Sequence, residues 1–125
     1  MTRVHFGFFP EPRADRLPEM IRRVRWADTN ALDLIGIQDH PYRRRLVDTF
    51  ALLSHLAGET HTVRLFPDVA NLPLRGPAIL AKQAASIDLM SGGRFELGLG
   101  ALGLWDAIQA VGGPAGHRGG TAGTA

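Results

Sequence analysis

Cysteine is absent from the 125-residue chain. That excludes disulfides, thiolate metal ligands and cysteine nucleophiles together, and it suits a reducing interior. Long apolar runs are absent too; none approaches the roughly 20 residues that span a bilayer. The opening stretch MTRVHFGFFPEPRAD has a short apolar run and early acids, which argues against a signal peptide. The expectation is a cytoplasmic protein without membrane contact. Charge is not in large excess either: the formal net charge is +2 at pH 7. The sequence pI of about 9.9 reflects arginine used in place of lysine. Aromatic residues do not alternate with the basic ones, so a nucleic-acid stacking surface is not expected. Arg43-Arg44-Arg45 is the densest basic run. It reads as a solvated face, with a phosphate or nucleic-acid contact as the functional alternative. His55 and His61 have no carboxylate or histidine at metal-ligand spacing, so no metal site is expected.

Hydrophobic residues make up 45% and charged residues 21% of the chain, which fits one modest globular domain. Val4 to Phe9 alternates in strand fashion, with Val4, Phe6 and Phe8 on one face and His5, Gly7 and Phe9 on the other. A helix follows over Pro18 to Asn30, with Leu17, Ile21, Val24 and Ala27 on one stripe and Trp26 as a packing residue. Leu34 to Gln38 is a short apolar strand of the kind covered on both faces. Asp48 is placed to cap a second helix that carries Phe50, Leu53, Leu56 and Ala57 and fades near Gly58. Thr62 to Phe66 reads as a third strand, and Ala78 to Met90 as a third helix entered at Pro77. Gly92 suits its C′ position, and Arg94 to Leu99 reads as a fourth strand. Glu96 on it points into the interior and needs a partner. Leu104 to Val111 opens a further helix. From Pro114 to Ala125 the composition collapses to glycine and small residues, so residues 114–125 read as a disordered tail. The order β-α-β-α-β-α-β predicts parallel strands joined by right-handed crossovers.

The exit of the fourth strand spells G-x-G-x-x-G at Gly98, Gly100 and Gly103. One reading is a dinucleotide-binding phosphate turn of Rossmann type. That fingerprint expects a further strand ending in an acid about 20 residues on, and the chain offers neither. The other reading is a strand-end loop at the ligand-binding face of a (β/α) barrel. Among the polar strand-end residues, His40 is the best acid–base candidate. Its free pKa lies near neutrality, and hydride transfer at a carbinol moves a proton at the same carbon's oxygen. The alternative for His40 is a loop histidine bonded to a neighbour, and Asp39 or Asp68 can equally cap a turn.

The run NLPLRGPAILAKQAASIDLMSGGRFELGLGA, from Asn71 to Ala101, resembles the luciferase-like monooxygenase family of flavin- and deazaflavin-dependent oxidoreductases. LIGIQDH (Leu34 to His40), LFPDVAN (Leu65 to Asn71) and Trp105-Asp106-Ala107-Ile108 share the likeness, which covers Val4 to about Pro114. It implies a TIM-type barrel that binds FMN or the deazaflavin F420 at the C-terminal ends of its strands, with a small-molecule substrate. It implies His40 as catalytic proton donor or acceptor, and Asp39 as a cofactor contact beside the ring. Asp68-Val69 matches the position of a cis-peptide bulge that supports the ring. Asn71 is a nearby polar contact, and Gly100 in the exit loop is the remaining cofactor-binding candidate. The Asp39-His40 pair tilts the cofactor toward F420. The chain also departs from the family. It supplies about four of eight strands, so residues 1–113 are expected to form an N-terminal half-barrel of a truncated protein. Leu102 replaces the usual glycine, and neither Gly103 nor Leu104 offers a catalytic carboxylate. An open half-barrel exposes unpaired edges, so self-association or pairing with a missing half is expected. A non-catalytic half-barrel that only assembles with a partner is the alternative to an enzyme.

Overall fold

Short apolar strands alternating with amphipathic helices give a parallel sheet with helices packed on one face. The computed structural model describes residues 1–101 and 104–116. Its strands are β1 (Gly7–Phe8), β2 (Leu34–Ile37), β3 (Arg64–Pro67), β4 (Ala70–Asn71) and β5 (Leu99–Gly100). Its α-helices are α1 (Leu17–Thr29), α2 (Thr49–Glu59), α3 (Pro77–Met90) and α4 (Trp105–Ala110). β1, β2 and β3 are adjacent and parallel, and β4 pairs β5 in parallel beyond them. The described strands do not close on themselves, so the architecture is a partial (β/α) barrel. No described helix is long and apolar enough to cross a membrane.

The helices form where caps and stripes place them. The Asp48 carboxylate accepts from the Ala51 N–H at 2.9 Å and starts α2. Pro77 occupies the first turn of α3, and Gly92 leaves it with φ +67°, a conformation that costs glycine little. Val24, Ala27, Phe50, Leu53, Leu56, Ala57, Leu80 and Ile87 are buried against Ile35, Ile37 and Leu65 of the sheet. The opposite sheet face carries Leu34, Gly36, Arg64 and Phe66. A Cβ on Gly36 would lie 2.9 Å from Phe66 Cζ and 3.2 Å from Phe9 Cδ2, so this face is crowded by aromatic rings. Glu96, expected in the interior, is exposed on this face, where it forms an ion pair with Arg64.

The structure corrects three further expectations. The first strand is shorter than Val4–Phe9: only Gly7–Phe8 pairs, and Val4, Phe6 and Phe9 are exposed. Phe8 alone of these phenylalanines packs against the core, because it alone lies in the paired strand with its side chain toward the helices. Trp26 is 62% exposed rather than packed, because the buried stripe runs through Met20, Val24 and Ala27 and leaves position 26 outside. The fourth strand is interrupted. Its bonds to the third continue from Leu65 N–H to the Arg94 carbonyl (2.9 Å), Glu96 N–H to Leu65 (2.9 Å) and Ala70 N–H to Gly98 (2.8 Å). Only Leu99–Gly100 forms a ladder, with Ala70–Asn71. Pro67 has no N–H to donate, and the chain bulges at Asp68-Val69, which breaks the ladder between these contacts. Leu102, Gly103, His117 and the tail beyond lie outside the described residues.

Candidate functional site

The C-terminal ends of β2 and β3 meet around one buried carboxylate. Asp39 follows β2 by two residues, and its side chain is almost wholly enclosed. Arg75 grips it in two-pronged fashion, Nε to Oδ2 at 2.6 Å and Nη2 to Oδ1 at 2.7 Å. The Asn71 N–H donates to the same Oδ2 at 2.8 Å. Arg75 also donates to Asp48 Oδ1 at 2.9 Å, and its guanidinium lies 4.4 Å from the centre of the Phe50 ring. Burial pushes the Arg75 pKa down, but the two carboxylates outweigh it and hold the group above its ordinary value. Asp48 is likewise shifted down despite burial, by the Ala51 N–H and by Arg75. The Thr49 hydroxyl donates to the Gln38 carbonyl at 2.6 Å, tying the start of α2 to the end of β2. Arg75 lies inside the run that carries the family likeness, yet sequence reasoning gave it no role. Its only local signal is an isolated charge between Pro73 and Pro77.

His40 follows directly. Its Nδ1 lies 2.8 Å from the Tyr42 hydroxyl, and Nε2 has no hydrogen-bond partner among the described residues. Burial first, then the Arg43 charge, pushes its pKa below 6.5, while Asp39 pulls the other way. Burial and the Arg43 charge both disfavour the imidazolium. His40 shares a cleft of about 260 Å³ with Asp39, Pro41, Leu46, Val47, Asp48 and Thr49.

The bulge sits beside this pair. The Asp68-Val69 peptide is cis, at the position the resemblance pointed to. The Asp68 N–H donates to the Ile37 carbonyl at 2.8 Å, so the bulge is held against the end of β2. Both side chains of the bulge are exposed. A Cβ at Gly98 would lie 2.5 Å from the Pro67 carbonyl oxygen, and one at Gly100 would collide with the Val69 side chain. These glycines make room for this chain's own atoms. Gly98 and Gly100 thus have a packing cause within this chain. Asn71 pairs in register with Gly100 and is 7% exposed. Its Oδ1 is buried with no donor among the described residues. An orphaned buried acceptor is rare and costs about 1–3 kcal/mol, so it invites an N–H or O–H from a bound molecule.

Asp39, Asp68, Val69, Asn71 and Gly100 are thus joined by direct contacts, and His40 adjoins them through Asp39. The arrangement offers an imidazole, an amide oxygen unsatisfied among the described residues and a carboxylate gripped by Arg75 at one strand-end face. The 3,6-diketocamphane monooxygenase component from Pseudomonas putida, solved with FMN, superposes with TM-score 0.76 at 23% identity over 88% of this chain and 33% of its own. At that identity the likeness concerns the fold alone. The F420-dependent tetrahydromethanopterin reductase from Methanopyrus kandleri superposes with TM-score 0.74 at 28% identity, over 89% of this chain and 30% of that one. In sequence, the 5,10-methylenetetrahydromethanopterin reductase of Archaeoglobus fulgidus is 38% identical over 78 residues, which are 62% of this chain and 23% of the relative. The pyrimidine monooxygenase RutA of Methylobacterium radiotolerans is 47% identical over 53 residues, 42% of this chain and 14% of its own. The chain therefore spans about a quarter or less of these curated relatives. The luciferase-like monooxygenase family model matches residues 2–122, nearly the whole sequence, and the chain belongs to that family.

Proposed function

We propose that this chain carries the cofactor-facing first turns of a flavin- or F420-dependent oxidoreductase acting on a small molecule. The observation that carries the reading is the orphaned Asn71 Oδ1, buried at the strand ends beside Asp39, His40 and the Asp68-Val69 bulge. A tricyclic flavin or deazaflavin ring carries N–H donors, and a donor of that kind fits this acceptor. FMN would supply oxygen activation for monooxygenation, and F420 would supply hydride transfer.

The chain's own residues have distinct tasks. Asn71 would orient the ring through Oδ1 while its N–H stays on Asp39. Asp39 Oδ2 accepts from Asn71 and Arg75 and Oδ1 from Arg75, so the enclosed carboxylate would serve the cofactor by holding Asn71 in place. Val69 and Gly100 form the floor of the bulge. His40 would give or take a proton at the imidazole, with burial favouring its neutral form, and Tyr42 fixes the ring's direction through Nδ1. The rest of the barrel would close over the face that holds Phe9, Phe66 and the Arg64–Glu96 pair. Cytoplasmic location and the absence of nucleic-acid partners belong to the same proposal.

A second reading is a non-catalytic half-barrel that assembles with itself or a complementary half. It is favoured by the exposed apolar edges at Val4, Phe6 and Leu99. Solution size, together with FMN and F420 titrations, separates the two. Binding of either cofactor supports the enzyme reading. A chain that binds neither, whether alone or self-associated, leaves only the second reading. If a cofactor binds, His40→Ala is expected to lower turnover more than affinity; unchanged turnover would remove His40 from the mechanism.

A further inference from the structure

Arginines gather in a second cleft next to His40. Residues 12–14 of the β1–α1 loop run antiparallel to residues 45–47 of the β2–α2 loop. The Ala14 N–H donates to the Arg45 carbonyl and the Val47 N–H to the Pro12 carbonyl, both at 2.9 Å, around an Arg13–Leu46 bridge. The Arg43 N–H returns to the His40 carbonyl at 2.9 Å, and the Leu46 N–H to the Arg43 carbonyl at 3.0 Å. The backbone that carries Arg43, Arg44 and Arg45 is therefore fixed on both sides. These three residues, with Arg13, Glu11 and Leu46, line a cleft of about 420 Å³. Leu46 also lines the His40 cleft, so one residue borders both.

Arg3, Arg23, Arg25, Arg64 and Arg75 each hold a carboxylate, and Arg94 is spent on carbonyls and a hydroxyl. Arg13 is taken by Asp15. Arg43, Arg44 and Arg45 make no side-chain hydrogen bond or ion pair among the described residues. Among the described residues Arg16 and Arg22 are also without side-chain partners, but each stands apart from other unpaired arginines, whereas three adjacent ones gather here. Three adjacent like charges repel, and Glu11 is the single acid in the cleft wall. Guanidinium groups match planar carboxylates and phosphates in geometry as well as charge. The cleft is concave, and no aromatic residue lines it, so it suits a small anion better than a stacked nucleic acid.

We infer that this cleft binds the carboxylate or phosphate group of an anionic substrate whose reacting end lies at His40. Assigning the anion to a substrate rests on the function proposed above; the existence of an anion site does not. The test is titration of the full chain with inorganic pyrophosphate and with citrate, by calorimetry at low salt. Saturable one-to-one binding is expected. The R43S/R44S variant should weaken it about tenfold, as for loss of charge-assisted bonds. The R22S/K82S variant removes the same charge from exposed helix positions and should change it less than about twofold. Equal loss in both variants, or no saturable binding, would overturn the site. FMN and riboflavin, which differ by one phosphate, supply the second arm. If R43S/R44S weakens FMN and spares riboflavin, the cleft holds a cofactor phosphate and the substrate assignment falls. Absent cofactor binding with intact, arginine-dependent anion binding would remove the proposed function and leave the anion site standing.

Discussion

Two aspartates, Asp28 and Asp39, are both almost fully buried, at opposite ends of the same sheet. Their surroundings differ. Asp28, near the end of α1, is enclosed by backbone. It accepts the N–H groups of His61, Thr62 and Val63 at 2.7–2.9 Å, together with the Thr62 hydroxyl. Burial would raise its pKa, but these bonds outweigh burial and hold it at about 2. Arg94 works beside it in the same manner. It donates to the carbonyls of Ala57, Thr60, Val63 and Ser91, which closes the C-terminal end of α2. Asp39 at the other end is held mainly by one side chain, Arg75, which it shares with Asp48. At the N-terminal end of the strands Asp28 and Arg94 are both spent on backbone. The C-terminal end leaves open the Asn71 Oδ1, the second nitrogen of His40 and the Arg43–Arg45 guanidinium groups. One end is built for stability and the other for binding, the division expected of a (β/α) barrel.

The sharpest way to break the contrast is Arg75→Met. It strands Asp39 in a buried site, and breaking such a pair costs about 3–5 kcal/mol. Urea denaturation should show that loss, and Asp39→Asn in the Arg75→Met background should recover part of it. A loss below about 1 kcal/mol would mean that Asp39 does not depend on Arg75.

Asp28→Asn is expected to cost less, about 2 kcal/mol at pH 7, from a carboxyl held near 2 against an unfolded value of 3.8. Because the folded pKa is depressed, this contribution is complete above 3.8 and drains as pH falls toward 2. Stability measured across that window should fall in the native chain and stay flatter in Asp28→Asn. Identical acid profiles would show that the backbone cage does not set the charge.

The smallest effect belongs to His40. Its proton NMR titration midpoint should lie below 6.5, and Arg43→Gln should move it up toward that value. The sign follows from the causes: burial and a neighbouring cation both disfavour the imidazolium. A midpoint unmoved by Arg43→Gln would separate the arginine cleft from the histidine.

Much of the scaffold was legible locally. Asp48 as N-cap, Pro77 at the first turn of α3 and Gly92 after it all act within one helical turn, so neighbouring residues encode them. The periodicity of Leu53, Leu56 and Ala57 did the same for the buried face of α2. Trp26 misled because a large aromatic suggests burial, whereas the stripe through Val24 and Ala27 decides which side of α1 is covered. The candidate site was legible as positions, since Asp39, His40, Asp68 and Asn71 all fall at strand ends. It was not legible as bonds.

The chain by itself determined the order of strands and helices, the caps, the strand-end placement of polar residues and the membership of a family. Those properties depend on residues within about four positions, or on long runs matched in order. Only tertiary structure decided that Arg75 holds Asp39, 36 residues away, and that Arg94 reaches Ala57, 37 residues away. It also decided that Asn71 turns its N–H to Asp39 and that Oδ1 finds no donor among the described residues. Such pairings follow from parallel register and crossover packing, which bring strand ends together regardless of their separation in sequence.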